Sequence, residues 1–289
     1  MSEMKTYTLE APGAVITYDV RQAESGTGDK PTLLIIGSPM DASGFVSLAE
    51  RFSDRTVVTY DPRGTARSTK DDPASESTPE QHADDLHRVI DALGGGPVDL
   101  FGSSGGAVNA LALVTKHPEQ ILTVVAHEPP AVRYGADAEQ ALAATTNIHE
   151  TYERDGFGPA MAKFIALVSM KGEIPAAFVD QPMDPAMFGL PTEDDGTRGD
   201  PLLGQNIITC THYEVDFDAL RTASTRVVIA TGIESEGELA CRSAQAIAAK
   251  LGAAPAVFPS NHAGFLGGEF GQQGDPDGFA AKLHQVLDN

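Results

Sequence analysis

Short unbroken apolar runs alternate along this chain with longer stretches in which apolar positions recur every three or four residues. Residues 7–9 and 15–20 read as two short strands around the Pro12-Gly13 turn, an antiparallel opening pair. A polar, Gly-rich link at 24–30 leads into the run 32–36, and further runs follow at 56–60, 98–101, 122–126, 226–230 and 256–258. Uninterrupted apolar runs of that length predict strands covered on both faces. Between them the spacing predicts helices at 45–52, 107–116, 237–251 and 278–287. A further helix is capped by Thr78, opened by Pro79 and ended by Gly94-Gly95-Gly96, with Ala83, Leu86, Ile90 and Leu93 on one face. Strands alternating with helices predict an α/β protein, a mostly parallel twisted sheet flanked by helices.

The alternation breaks from about 131 to 224. Helical stretches at 136–154 and 159–171 give way to a loop-rich run at 183–201, then to a helix at 202–213. The simplest organisation is a core part at 1–130, an inserted helical cap or lid at 131–224, and a second core part at 225–289. The methionines and aromatics of the middle block, among them Met161, Phe164, Met170, Phe178, Met183, Met187 and Phe188, read as lid core before they read as a pocket lining.

The stretch that carries chemistry is Gly102-Ser103-Ser104-Gly105-Gly106, a match to the G-x-S-x-G nucleophile elbow. A serine in a sharp strand-to-helix turn needs neighbours two residues away that have no side chain to clash. Ser104 then stands at a helix N-terminus, where free amides and the helix dipole favour developing negative charge. A serine hydroxyl needs a base, and the base needs an orienting group. Of the eight histidines, His262 fits best, in the small-residue loop Asn261-His262-Ala263-Gly264 beyond the last strand. His82, His87 and His284 are expected on helix exteriors. A histidine base implies a rate that rises with pH as the imidazole loses its proton.

Gly37-Ser38-Pro39, Asp61-x-Arg63-Gly64-x-x-x-Ser68, Gly102-x-Ser104-x-Gly106 and the late His262 stand in the order and spacing of the α/β-hydrolase superfamily, which the whole chain resembles. The resemblance implies an α/β-hydrolase fold with a helical cap, and an oxyanion hole formed by the amides of Ser38 and Gly105. It also makes the Asp61 and Arg63 turn structural. Where many members have histidine before Gly37, this chain has Ile36. The usual acid position, three residues past Gly232, holds Ser235, with Glu234 and Glu236 beside it. The other acid location known in the superfamily, after the strand that follows the elbow helix, holds Glu128, ahead of Pro129-Pro130. That arrangement resembles Ser-Glu-His lactonases such as the zearalenone-hydrolysing enzymes. Glu128 is the preferred acid and Glu234 the alternative.

Composition narrows the class without naming a substrate. A formal charge of −21 over 289 residues disfavours nucleic acid and anionic membranes as partners. Two cysteines, Cys210 and Cys241, without ligand spacing indicate neither a disulfide framework nor a metal site. The first residues lack a secretory apolar run, so a cytoplasmic location is the expectation. No P-loop, H-E-x-x-H or dinucleotide fingerprint is present, and no cofactor is expected. The reading is a serine hydrolase of an apolar ester or lactone, a small-molecule partner, with a homodimer left open. Its alternatives are a catalytically idle binding protein of the same fold, and a serine-dependent carbon–carbon hydrolase or perhydrolase.

Overall fold

A computed structural model of the chain describes residues 3–24 and 30–289; Met1, Ser2 and most of the Gly-rich link at 24–30 lie outside the described residues. β1 (Met4–Ala11) and β2 (Ala14–Arg21) form the antiparallel opening hairpin. Next come β3 (Leu33–Ile36), α1 (Val46–Ala49), β4 (Val57–Tyr60), β5 (Thr69–Lys70), α2 (Pro79–Ala92), β6 (Val98–Ser103), α3 (Gly105–Lys116) and β7 (Ile121–His127). A helical block follows with α4 (Ala138–Asp155), α5 (Phe157–Val168), α6 (Ile207–Thr209) and α7 (Phe217–Thr222). The chain then returns to the sheet with β8 (Arg226–Gly232), α8 (Leu239–Lys250), β9 (Ala256–Phe258) and α9 (Pro276–Leu287). The sheet order is β1-β2-β4-β3-β6-β7-β8-β9, with β5 paired to β2. From β4 to β9 every pairing is parallel.

The two-residue period of the strands explains why both faces are apolar. Leu34 and Ile36 point to one cluster with Leu86, Val89 and Ile90 of α2 and most of α3. Leu33 and Ile35 point to the other, with Phe52, Phe101, Phe265 and the inner face of α9. A third cluster lies within the block between β7 and β8, built on Ile148, Tyr152, Phe178 and Leu203 and joined by Leu239. The block is tied to α8 by Arg242, whose guanidinium grips both oxygens of Asp137 at 2.6 and 3.0 Å. No helix among the described residues is long and apolar enough to cross a membrane.

Several local expectations differ from the structure for identifiable reasons. The helix expected at 45–52 is a 3-10 turn, Ala42–Phe45, followed by the single turn α1, because Asp41 caps the chain early through the Ser43 amide. The helix expected at 202–213 starts with a π-helical turn, Leu202–Asn206, before α6. Strand β5 is too short to leave a periodic signal. Of the middle-block residues, Phe178 is buried core, whereas Met187 is 81 % exposed. His82, expected outside, is buried: it lies one helical turn before Leu86 and shares its inward face. His87 is half-buried and stacks on His117 with ring centroids 3.9 Å apart.

Two buried histidines make acid stability predictable. Burial, helped by the charges of Arg63 and Lys70, brings the His82 imidazole down to about 3. Burial among Phe101, Phe258, Phe265 and Phe279 brings His127 down to about 4, with Glu128 pulling upward and His262 downward. A base with a depressed folded pKa takes up its proton first in the unfolded chain, near 6.5, so stability falls as pH drops below about 6.5. Chemical denaturation across pH 7 to 4 should show this loss. His82→Met should reduce its slope by about one proton; an unchanged slope would remove His82 from this account.

Candidate active site

Ser104 occupies the sharp turn between β6 and α3 with φ 56° and ψ −125°, a left-handed conformation that L-residues avoid. The close packing around it explains the glycines. A Cβ on Gly102 would lie 2.7 Å from the Gly106 carbonyl, and one on Gly106 would lie 2.6 Å from the Ile36 carbonyl. One on Gly105 would meet the Ser38 carbonyl. The α3 N-terminus can therefore lie directly against the loop after β3, which places Ser38 and Gly105 together on the wall of the cavity that Ser104 lines.

β6, β7, β8 and β9 are parallel neighbours, so the loops after them share one edge of the sheet. Ser104 follows β6, Glu128 follows β7, the Gly232 to Ser235 turn follows β8, and His262 follows β9. Three of the chain's non-glycine residues with positive φ are Ser104, Glu128 (48°) and Ser260 (66°), each at the strand end carrying one of these groups. Backbone strain of this kind costs about 1–3 kcal/mol per residue and gathers at functional sites. The amide of Ser104 donates to the His127 carbonyl, and that of Glu128 donates to Ala230, each at 2.9 Å. Those two bonds stitch the ends of three strands into one platform.

Glu128 is fully buried, and its carboxylate crosses the end of β8 to reach the neighbouring loop. Oε2 lies 2.5 Å from His262 Nδ1, and Oε1 accepts the Gly232 amide at 2.8 Å. Small residues at the end of β8 let the loop that carries His262 pack closely against it. A Cβ on Gly232 would strike the Ser260 carbonyl at 2.8 Å, and the next inward position is Ser235, whose buried hydroxyl has no hydrogen-bond partner. Burial pushes the Glu128 carboxyl upward, but the His262 hydrogen bond, the positive charge of His127 and His262 when protonated, and the Gly232 amide outweigh it and bring it down to about 2. Glu234 is exposed, and its amide donates to the Ser260 carbonyl at 3.0 Å. The structure thus joins Glu128, and not Glu234, to His262. The His262 side chain is 39 % exposed and faces the cavity.

That cavity holds about 420 Å³. Phe164, Leu167, Val168, Leu202, Ile207 and Leu239 form its apolar wall, drawn largely from the helical block. Cys210 also lines it; burial pushes its thiol up to about 12, which keeps it protonated. A larger, more polar cavity of about 590 Å³, between Glu76, His149, Glu153 and Arg198, contains none of the residues singled out from the sequence. No group of three His, Cys, Asp or Glu side chains that could hold a metal ion is present among the described residues.

Asn206 is a residue the sequence did not reveal. It is buried in the π-helical turn and donates from Nδ2 to Ser38 Oγ at 2.8 Å. Nothing local marks it, because its partner lies far away in sequence. The Asp61 turn acts on the same loop from the other side: Asp61 Oδ1 accepts the Ala42 amide at 3.1 Å, and Oδ2 accepts Arg67 Nε at 2.6 Å. Arg63 is turned away from the cavity and forks onto buried Asp85 at 2.8 and 2.7 Å.

Residues 31–187 match the family model described as alpha/beta hydrolase fold. The chain is 29 % identical over 289 residues to an uncharacterized hydrolase of Bacillus subtilis, YraK, covering 97 % of this chain and 95 % of that one. A thermophilic esterase from Thermogutta terrifontis superposes with a TM-score of 0.65 at 19 % identity, over 99 % of this chain and 98 % of the other. The enol-lactonase from Burkholderia xenovorans does so with a TM-score of 0.62 at 17 % identity, over 98 % of this chain and all of that one. At such identities these structures share the fold with this chain. The chain belongs to the α/β-hydrolase fold family, and at that level its activity is that of a hydrolase.

Proposed function

We propose that the protein is a serine hydrolase of carboxylic esters or lactones, with Ser104 as nucleophile, His262 as general base and Glu128 as the acid that orients it. The observation that carries this reading is the 2.5 Å contact between buried Glu128 and His262 beside the cavity that Ser104 lines. With Nδ1 committed to Glu128, Nε2 is the nitrogen left to take the Ser104 proton. Ser104 Oγ attacks the substrate carbonyl while that proton passes to His262. The oxyanion is received by the amides of Ser38 and Gly105, at the N-terminus of α3. A donor pair of this kind matters, because losing one such donor costs about 3 kcal/mol of barrier. Collapse of the tetrahedral intermediate passes the proton from His262 to the leaving alkoxide. Water, deprotonated by the same histidine, then cleaves the acyl-enzyme and restores Ser104.

The helical block at 131–224 acts in this reading as the cap that shapes the acyl site, since its residues supply most of the apolar wall. An esterase and an enol-lactonase among the structural neighbours fit the same chemistry on this fold. A binding-only descendant is less well supported, because a buried carboxylate held against His262 serves no evident purpose in a site that only binds.

The deciding experiment is intact-protein mass after exposure to a fluorophosphonate. One adduct on the wild type, absent from Ser104→Ala, supports the reading; no adduct on folded protein favours a binding role. Glu128→Gln should lower kcat by roughly 10³–10⁴-fold with the fold retained, because an amide does not stabilise the imidazolium. Near-normal turnover in that variant, with a large loss in Glu234→Gln, would transfer the role to Glu234. Asn206→Ala should reduce kcat about tenfold while KM stays within about twofold, since it loosens the loop that holds an oxyanion donor. Ser38→Ala should show a similar loss, and the double variant little more, because both remove the same bond.

A further inference from the structure

Glu238 precedes α8 and lines the cavity together with Ser104 and His262. It is half-buried, and its side chain makes no capping bond to the helix it precedes. Among the described residues its carboxylate has neither a hydrogen bond nor an ion pair. Lys171, whose backbone pairs with that of Glu238, acts on its charge, but Lys171 lies outside the cavity lining and donates from Nζ to the Glu234 carbonyl at 3.3 Å. Burial raises the Glu238 carboxyl above its ordinary value; Lys171 and His262 oppose that and Glu128 adds to it.

The remainder of the lining sharpens the point. No lysine or arginine contributes to it, and His262 already has its counter-charge in Glu128. The substrate cavity therefore carries one carboxylate without a partner, set in an apolar wall. A substrate that brings a second carboxylate would create a like-charge pair inside a cavity whose lining has no lysine or arginine to balance it. An uncharged apolar chain avoids that cost, and a cationic end supplies the missing partner.

We propose that Glu238 selects the charge of the acyl group: apolar chains that are uncharged or end in a cation are accepted, and chains that end in a carboxylate are rejected. The proposal rests on the serine-hydrolase reading and narrows its substrate class. Unlike overall net charge, which acts at a distance and is screened by salt, the filter works inside the site and belongs to one side chain.

The test compares kcat/KM for three p-nitrophenyl esters: that of γ-trimethylammoniobutyrate, that of its uncharged tert-butyl isostere, and the monoanionic adipate ester. In the wild type the adipate ester should be cleaved about tenfold or more slowly than the uncharged one, and the cationic ester at least as fast. Glu238→Gln should bring the three within about threefold of one another. Glu236→Gln, which removes an exposed carboxylate from the same turn, should keep the wild-type ratios. Equal cleavage of the adipate and uncharged esters by the wild type, or unchanged ratios in Glu238→Gln, would overturn the proposal while leaving the hydrolase reading in place. If the esters turn over too slowly, the rates at which Ser104 reacts with an uncharged and a quaternary-ammonium organophosphonate report the same selection. Failure of Ser104 to react with either reagent would overturn the hydrolase reading, and this proposal with it.

Discussion

The site depends on one hydrogen bond, from His262 Nδ1 to a carboxylate that has been taken out of water. Glu128 is fully buried, and an ionised carboxylate there is tolerable only because both oxygens are engaged, one by His262 and one by the Gly232 amide. The geometry asks much of the surrounding chain. The carboxylate starts on β7 and must pass the end of β8 before it reaches the loop after β9. Gly232 lets the loop after β9 approach closely, and the positive φ of Glu128 turns the chain from the strand into Pro129-Pro130.

A second dependency joins the helical block to the loop after β3. In this chain Ile36 stands where many family members have histidine, so that loop draws its support from elsewhere. Asp61 holds it through the Ala42 amide, and Asn206 reaches the Ser38 hydroxyl from the opposite side. The block that walls the cavity also steadies one of the two proposed oxyanion donors. Substitutions in the block can then alter turnover as well as substrate choice, because one buried side chain serves both.

Charged residues away from the cavity are mostly occupied with structure. Arg63 neutralises buried Asp85, Arg242 ties Asp137 of the block to α8, and Asp61 organises its own turn. Glu238 stands apart because it lacks such a partner and lines the cavity. An acidic surface explains solubility without any site, whereas an unpartnered carboxylate inside the cavity needs a reason of its own.

Much of the fold was legible in the residues because its signals are short-range. Apolar runs and helical spacing marked the strands and the principal helices. The glycines around Ser104 marked the elbow, since a steric requirement within five residues leaves a local trace. The small-residue loop after β9 likewise singled out His262. Other features depend on which distant segments meet at the sheet edge, and no periodicity records that. The choice between Glu128 and Glu234 turned on whether one side chain could cross a neighbouring strand. Asn206 was invisible because its partner is Ser38, far off in sequence. His82 looked exterior because a polar side chain in an apolar stripe reads as a break in the pattern until the packing around it is known. The residues by themselves determined the elements and the sharp turn at Ser104, for their physics is local. Only the tertiary structure decided which carboxylate meets His262, what supports the loop after β3 and which charges line the cavity, because each depends on contacts between chain segments that sequence spacing does not relate.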